Sequence, residues 1–306
     1  MDSQVSLRRN GQINIVLSER DKNLDEKNTP MKSNSYDPFL KIDQDFSSFV
    51  GMSNLKETVK EIYANMHINS KRERAGLKTQ KQVLHMLFKG NPGTGKTTVA
   101  RKLAKAFYEM EILPKGQFIE AERADLVGEY IGHTAQKTRD LIAKAMGGVL
   151  FIDEAYSLGR GGEKDFGKEA IDTLVKHMED SHNQFILILA GYPREMDEFL
   201  TLNPGLTSRF PIVLDFEDYS IDQLVEIARQ MAAEREYQLS KEAEWKLRDH
   251  LLKQKQTQHY RNFSNARLVR NLIEKAIRKH AVRLMEKNHH TTKELMTITR
   301  IDLSID

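Results

Sequence analysis

Apolar positions along the chain follow two different periods. Leu55, Val59, Ile62, Tyr63 and Met66 recur at helical spacing and predict a helix within 54–75. Beyond it, short and nearly continuous apolar runs predict strands at 83–88, 117–121, 149–153, 185–190 and 211–216. Helical spacing predicts helices near 96–110, 134–146 and 167–179 in the intervals between them. Strands alternating with helices point to parallel βαβ units, and strands that are apolar throughout point to a sheet covered on both faces. After Phe216 the strand pattern stops, and 220–236, 240–254 and 264–287 read as amphipathic helices. Residues 1–48 show neither period. They are polar and of mixed charge, and read as a partly flexible arm with a short strand candidate at 12–17. The expected organisation is an arm over 1–48, an α/β domain with a five-stranded parallel sheet over 49–216, and a small helical lid domain over 217–306.

Composition removes several kinds of chemistry. The chain has no cysteine, so disulfides, Cys-ligated zinc or iron–sulfur centres and thiol nucleophiles are excluded. A reducing, cytoplasmic setting fits. The longest apolar run, 185–192, is far below the roughly 18 residues that span a bilayer, and the N-terminal run at 13–17 is too short for a signal-peptide core. A soluble protein is expected. The 47 basic and 44 acidic residues leave a net charge of only +3, too little to announce a nucleic-acid or acidic-membrane partner. The distribution is less even. Residues 246–287 hold twelve basic and three acidic side chains, a local excess that keeps a nucleic-acid motor as the alternative reading.

The strongest chemical signal is Gly90, Asn91, Pro92, Gly93, Thr94, Gly95, Lys96 and Thr97, a G-x-x-x-x-G-K-[ST] phosphate loop. A predicted strand runs into it, and a helix with Thr98, Val99, Ala100 and Leu103 runs out. Such a loop curls its backbone N–H groups around phosphate oxygens, and the helix N-terminus adds positive potential. Lys96 supplies a point charge for the β- and γ-phosphates of ATP, and the Thr97 hydroxyl suits Mg²⁺. The complementary acids come from GGVLFIDEA, where Val149–Ile152 lead into Asp153 and Glu154. Asp153 at the strand end suits Mg²⁺ through water, and Glu154 is placed to deprotonate the attacking water. A second acid in that position favours ATP hydrolysis over phosphorylation of a small molecule.

The phrases GNPGTGKTTVAR, AERADLVGEYIGHTAQKT, GGVLFIDEAYSL, LAGY and NPGLTSRFP resemble the AAA+ ATPases over about 49–306. Within them, the wording is similar to the branch shared by red-type Rubisco activases and a sporulation ATPase. NGQINIVL and GGEKDFGKEAIDTLVKHMED lie on the sporulation side. The resemblance implies further roles. Val50 and Gly51 match the adenine contact, and Arg209 in Ser208-Arg209-Phe210 matches an arginine finger that completes the site of a neighbouring subunit. Arg267 matches the sensor arginine of the lid, with Arg270 as its competitor. The polar sensor that many AAA+ proteins provide as asparagine falls here on Tyr192. Tyr130, Ile131 and Gly132 match the aromatic–apolar–Gly pore loop of protein-translocating rings. The implied protein is a homo-oligomeric ring, a hexamer, that binds ATP and Mg²⁺ and remodels a protein client in endospore formation.

Overall fold

The computed structural model describes residues 39–79, 82–130, 132–161, 165–181, 184–257, 263–286 and 289–304. Helices α1 (Leu40–Asp45) and α2 (Ser53–Arg74) precede the first strand, β1 (Met86–Gly90). There follow α3 (Lys96–Glu109), β2 (Phe118–Ala121), α4 (Arg123–Leu126), α5 (His133–Ala145) and β3 (Val149–Ile152). A 3₁₀ turn (Ala155–Gly159), α6 (Gly167–Asp180), β4 (Ile186–Gly191), α7 (Pro193–Leu200), α8 (Pro204–Arg209) and β5 (Ile212–Phe216) complete this part.

The five strands form one sheet in the order β2-β3-β4-β1-β5, and every pair is parallel. Alternate residues of each strand enter opposite cores, as the two-residue period requires. Met86, Phe88, Phe151, Ile188 and Leu214 join α1, α2 and α3 on one face. Leu87, Leu150, Ile152, Leu187 and Leu189 join α5, α6 and α7 on the other. Because both faces are covered, the strands read as unbroken apolar runs. Register then sets the site. Leu189 pairs with both Leu87 and Ile152, so Gly90 and Tyr192 come level at the carboxyl edge of the sheet, with Asp153 leaving β3 two residues earlier, level with Ala190.

The second part packs a core of its own from Leu224, Ala228, Leu247, Leu251, Phe263, Val269, Ile273 and Ile298. It comprises α9 (Ile221–Ala233), β6 (Gln238–Leu239), α10 (Lys241–Thr257), α11 (Asn265–Leu284), α12 (Thr292–Met296) and β7 (Thr297–Ile298). The sequence Ser220-Ile-Asp-Gln223 starts α9 with a capping box: the Ser220 hydroxyl accepts the Gln223 N–H at 3.2 Å, and the Gln223 carbonyl oxygen accepts the Ser220 N–H at 2.8 Å.

Three expectations change. The compact unit starts at Phe39, because Ile42 and Phe46 of the expected arm are buried in the sheet-domain core. Its short polar helix offers too few apolar positions to show a period. The strand candidate at 12–17 lies outside the described residues. Strands also continue past Phe216, since β6 and β7 form a short parallel pair, each only two residues long. Finally, β1 begins at Met86, not at 83. The Leu187 N–H facing this segment is taken by the His85 ring nitrogen at 3.0 Å instead of by a backbone carbonyl.

Candidate functional site

The phosphate loop takes its shape from backbone that only flexible residues adopt. Gly93 and Gly95 sit at φ +71° and +97°, and Gly95 precedes the first turn of α3. At Gly93 two requirements coincide: the left-handed φ, and a contact in which any Cβ would collide with the Ser264 carbonyl oxygen. Lys96 is only 8% exposed and folds back on the loop. Its ammonium donates to the carbonyls of Gly90 at 2.7 Å and Asn91 at 3.0 Å, which holds it where phosphate oxygens would be met.

Burial pushes the Lys96 ammonium down from the usual 10.5 to about 8; Asp153 pulls it back up, and Arg267 lowers it further. The sign of the consequence is fixed. Anionic phosphates bind the charged form and raise its pKa, so binding takes up a proton above about pH 8. ATP affinity is therefore expected to be flat below that pH and to fall by up to about tenfold per pH unit above it. Titration of a fluorescent ATP analogue across this range checks the expectation, and a flat profile through about pH 9.5 would contradict it.

A cavity of ≈ 670 Å³ opens over the loop, a size that suits a nucleotide. Pro92, Gly93, Gly95, Lys96, Thr97 and Thr98 line its floor, Asp153, Glu154 and Tyr192 one wall, Val50 and Met52 another, and Arg267 and Arg270 come from α11. Asn91, Thr94 and Gly51 do not line it. Asn91 and Thr94 instead brace the loop, the Thr94 hydroxyl donating to the Asn91 carbonyl at 2.8 Å. Gly51 sits at φ +71° against the Gln223 side chain, so the expected adenine contact reduces to Val50 alone.

The acidic pair stands at the end of β3. The Asp153 carboxylate accepts the Glu154 N–H at 2.9 Å, and Glu154 itself adopts a left-handed backbone at φ +46°, ψ +43°. That conformation is disfavoured for a residue with a Cβ and clusters at functional sites. Below them two aromatic rings meet, Tyr156 and Tyr192, with centroids 5.6 Å apart. Burial first, then the charge of Glu154, pushes the Tyr156 phenol above its ordinary range. Tyr192 is also raised, mainly by burial, and its ring lies 5.9 Å from the Lys96 ammonium. Tyr156 does not line the cavity; it is buried in the core on the α5–α7 face of the sheet. Thr97 and Asp153 bring hard oxygen donors to one side of the cavity, a donor set that fits Mg²⁺ beside bound phosphates.

Two motif residues lie away from the cavity wall. Arg209, at the end of α8, pairs with Glu179 and donates to the Gly205 carbonyl at 2.6 Å. Tyr130 is 65% exposed on the turn between α4 and α5, with its ring edge-on to His133 at 5.4 Å. The turn is closed by His133 N–H to the Tyr130 carbonyl, and Gly132 at φ +82° precedes α5. Ile131 lies outside the described residues.

The chain is similar to several known proteins. Residues 86–218 match the model of the "ATPase family associated with various cellular activities (AAA)", and residues 220–306 match an AAA lid domain. Stage V sporulation protein K of Bacillus subtilis is 60% identical over 100% of this chain and 97% of that protein. Protein CfxQ of Xanthobacter flavus is 44% identical over 78% of this chain and 74% of that protein. A chloroplastic ribulose bisphosphate carboxylase/oxygenase activase of Cyanidioschyzon merolae is 42% identical, over 83% of this chain and 84% of that protein. Among solved structures, a mutant of Thermotoga maritima RuvB superposes at TM-score 0.54 with 18% identity, over 83% of this chain and 68% of that one, a likeness of fold.

Proposed function

This chain belongs to the ATPase family associated with various cellular activities, and from that premise we propose that it works as a hexameric ring that couples ATP hydrolysis to the remodelling of a protein client. It is an ATPase. The observation that carries the rest is the separation of Arg209 and Tyr130 from a cavity that otherwise collects the phosphate loop, both acids and the lid arginine. A finger that does not reach its own site has a use at the site of the next subunit. An exposed aromatic on a Gly-flanked turn has a use in gripping polypeptide by area and shape.

In this reading Lys96 neutralises the β- and γ-phosphates, and Thr97 and Asp153 hold Mg²⁺. Bound there, the metal would supply positive charge that offsets the phosphates. Glu154 takes a proton from water as the water oxygen bonds to the γ-phosphorus and the bond to the bridging oxygen breaks. Arg209 of one subunit stabilises charge on the phosphoryl group bound by its neighbour. Tyr192 orients the water from beneath. Arg267, whose charge is felt at Lys96, reports the loss of the γ-phosphate to the lid. The likeness to a sporulation protein supports endospore formation as the process. No helix of the described residues is long and apolar enough to cross a membrane.

The basic run at 246–287 carries the alternative of a nucleic-acid motor, but much of its charge is engaged locally. Arg248 pairs with Asp222, Lys253 with Asp249 and Arg283 with Asp302. Lys246, Lys255 and Lys275 donate to the carbonyls of Leu303, Tyr219 and Ser304, and Arg267 and Arg270 face the cavity. That supports a protein client over nucleic acid.

Tyr130→Ala is the test. It is expected to retain ATP binding, ring assembly and basal hydrolysis, because the side chain is exposed, and to lose client remodelling. Clients are captured on a hydrolysis-blocked ring and followed by protease sensitivity. Normal remodelling by the variant, or ATPase stimulation by DNA at low salt, would overturn the reading.

A further inference from the structure

Four consecutive residues of the phosphate loop are each bonded to the hinge or lid. The Asn91 carboxamide donates to the Asp218 carboxylate at 3.0 Å, and the Pro92 carbonyl accepts from the Asn265 carboxamide at 3.3 Å. The Gly93 carbonyl accepts the Ala266 N–H at 3.1 Å, and the Thr94 carbonyl accepts the Tyr219 hydroxyl at 3.0 Å. Asp218 and Tyr219 belong to the linker between β5 and α9, and Asn265 and Ala266 open α11.

Asn265 is the centre of this network. It is fully buried at 0% exposure and holds a left-handed backbone at φ +46°. Its side-chain Oδ1 accepts the Tyr219 N–H at 3.0 Å. Its amide donates to Asp218 at 2.7 Å and to the Phe263 carbonyl at 3.1 Å, besides Pro92. Both ends of the carboxamide are therefore used, one on the hinge and the other on hinge, loop and lid together. An asparagine at the start of a helix ordinarily caps it; α11 has no side-chain cap, and this carboxamide points across the domain junction instead.

We propose that Asn265, together with Asp218, is a positioning residue that ties lid orientation to the filling of the phosphate loop and aims Arg267, two residues further along α11, at the γ-phosphate. Phosphate oxygens in the loop would compete with the Gly90 and Asn91 carbonyls for the Lys96 ammonium, loosening its hold on Asn91. Asn91 is bonded to Asp218, and Asp218 to Asn265, so a shift of that residue is passed to the first turn of α11 through two hydrogen bonds. A buried network of this kind has few alternative arrangements, since its polar groups have little water to take the place of a lost partner. The inference rests on the cavity being the ATP site.

The test is Asn265→Gly, which keeps the left-handed backbone accessible and removes only the carboxamide, with Asp218→Asn as a second variant that preserves shape. The full-length chain is assayed for ATPase rate, for binding of a fluorescent ATP analogue, and for ATP-dependent amide exchange in the 217–220 linker. Asn265→Gly is expected to stay folded and to bind the analogue within about threefold of wild type. Its kcat should fall at least about tenfold, and linker exchange should lose its response to ATP. The double variant should be no slower than the slower single, because both act in one network. The clamp is overturned if either single variant hydrolyses ATP within about twofold of wild type, if kcat falls only as the folded fraction falls, or if the two losses multiply. If wild type itself bound no nucleotide, the ATP-site reading would fall first and the clamp with it.

Discussion

Glu154→Gln is expected to lock ATP onto the protein. The amide has the shape of the carboxylate and cannot take a proton, so kcat should fall by about 10²–10⁴-fold, the usual worth of a general base. Binding should survive if, as proposed, the phosphates are held by Lys96, Thr97 and the loop backbone, which line the cavity floor. The left-handed turn at Glu154 explains why no neighbouring acid should rescue the variant. The backbone there is fixed by the Asp153 carboxylate, which is itself engaged by the Glu154 N–H at 2.9 Å. Single-turnover hydrolysis separates this from a binding defect: ATP bound and released intact supports the assignment, and cleavage at the wild-type rate refutes it.

Arg209→Ala carries the second large effect. In its own chain Arg209 makes one ion pair, with the largely exposed Glu179, and one bond to the Gly205 carbonyl. With Glu179 60% exposed, water screens the pair, which contributes on the order of 1 kcal/mol to stability, although the Arg209 side chain itself is only 22% exposed. If Arg209 were only a surface clasp, its loss would shift Tm slightly and leave turnover unchanged. As a finger in trans, it should cost about 10³-fold or more in kcat with the same small shift in Tm. Thermal denaturation beside steady-state ATPase on the same preparation distinguishes the two.

What could be read from the chain and what could not divide along physical lines. Strands with both faces covered must be apolar throughout, so β3 and β4 were visible within a residue of their ends. The phosphate loop and the acids after β3 were visible because their chemistry demands fixed residue types at fixed spacing. Short elements held by caps were not. α7 and α8 each begin with proline, and Asn203 caps α8 by accepting the Gly205 N–H at 2.9 Å, signals that weigh little beside a period only two turns long. Long-range polar contacts left no trace. Nothing around Asn265 distinguishes a helix cap from a buried clamp on a loop more than 170 residues earlier in sequence. Likewise, a Cβ at Gly51 would collide with the Gln223 side chain, a close approach that only the folded chain reveals.

The shared site between subunits is the core of this account, and complementation tests it most directly. Arg209→Ala subunits keep an intact Glu154 but offer no finger, whereas Glu154→Gln subunits offer the finger but cannot hydrolyse. Mixed in equal amounts and allowed to exchange, they should form rings in which roughly a quarter of sites pair an intact Glu154 with an intact Arg209 from the neighbour, as random placement around a head-to-tail ring requires. ATPase activity of the mixture should then rise well above the sum of the two parents. Activity no greater than that sum, in rings shown to have exchanged subunits, would contradict the account.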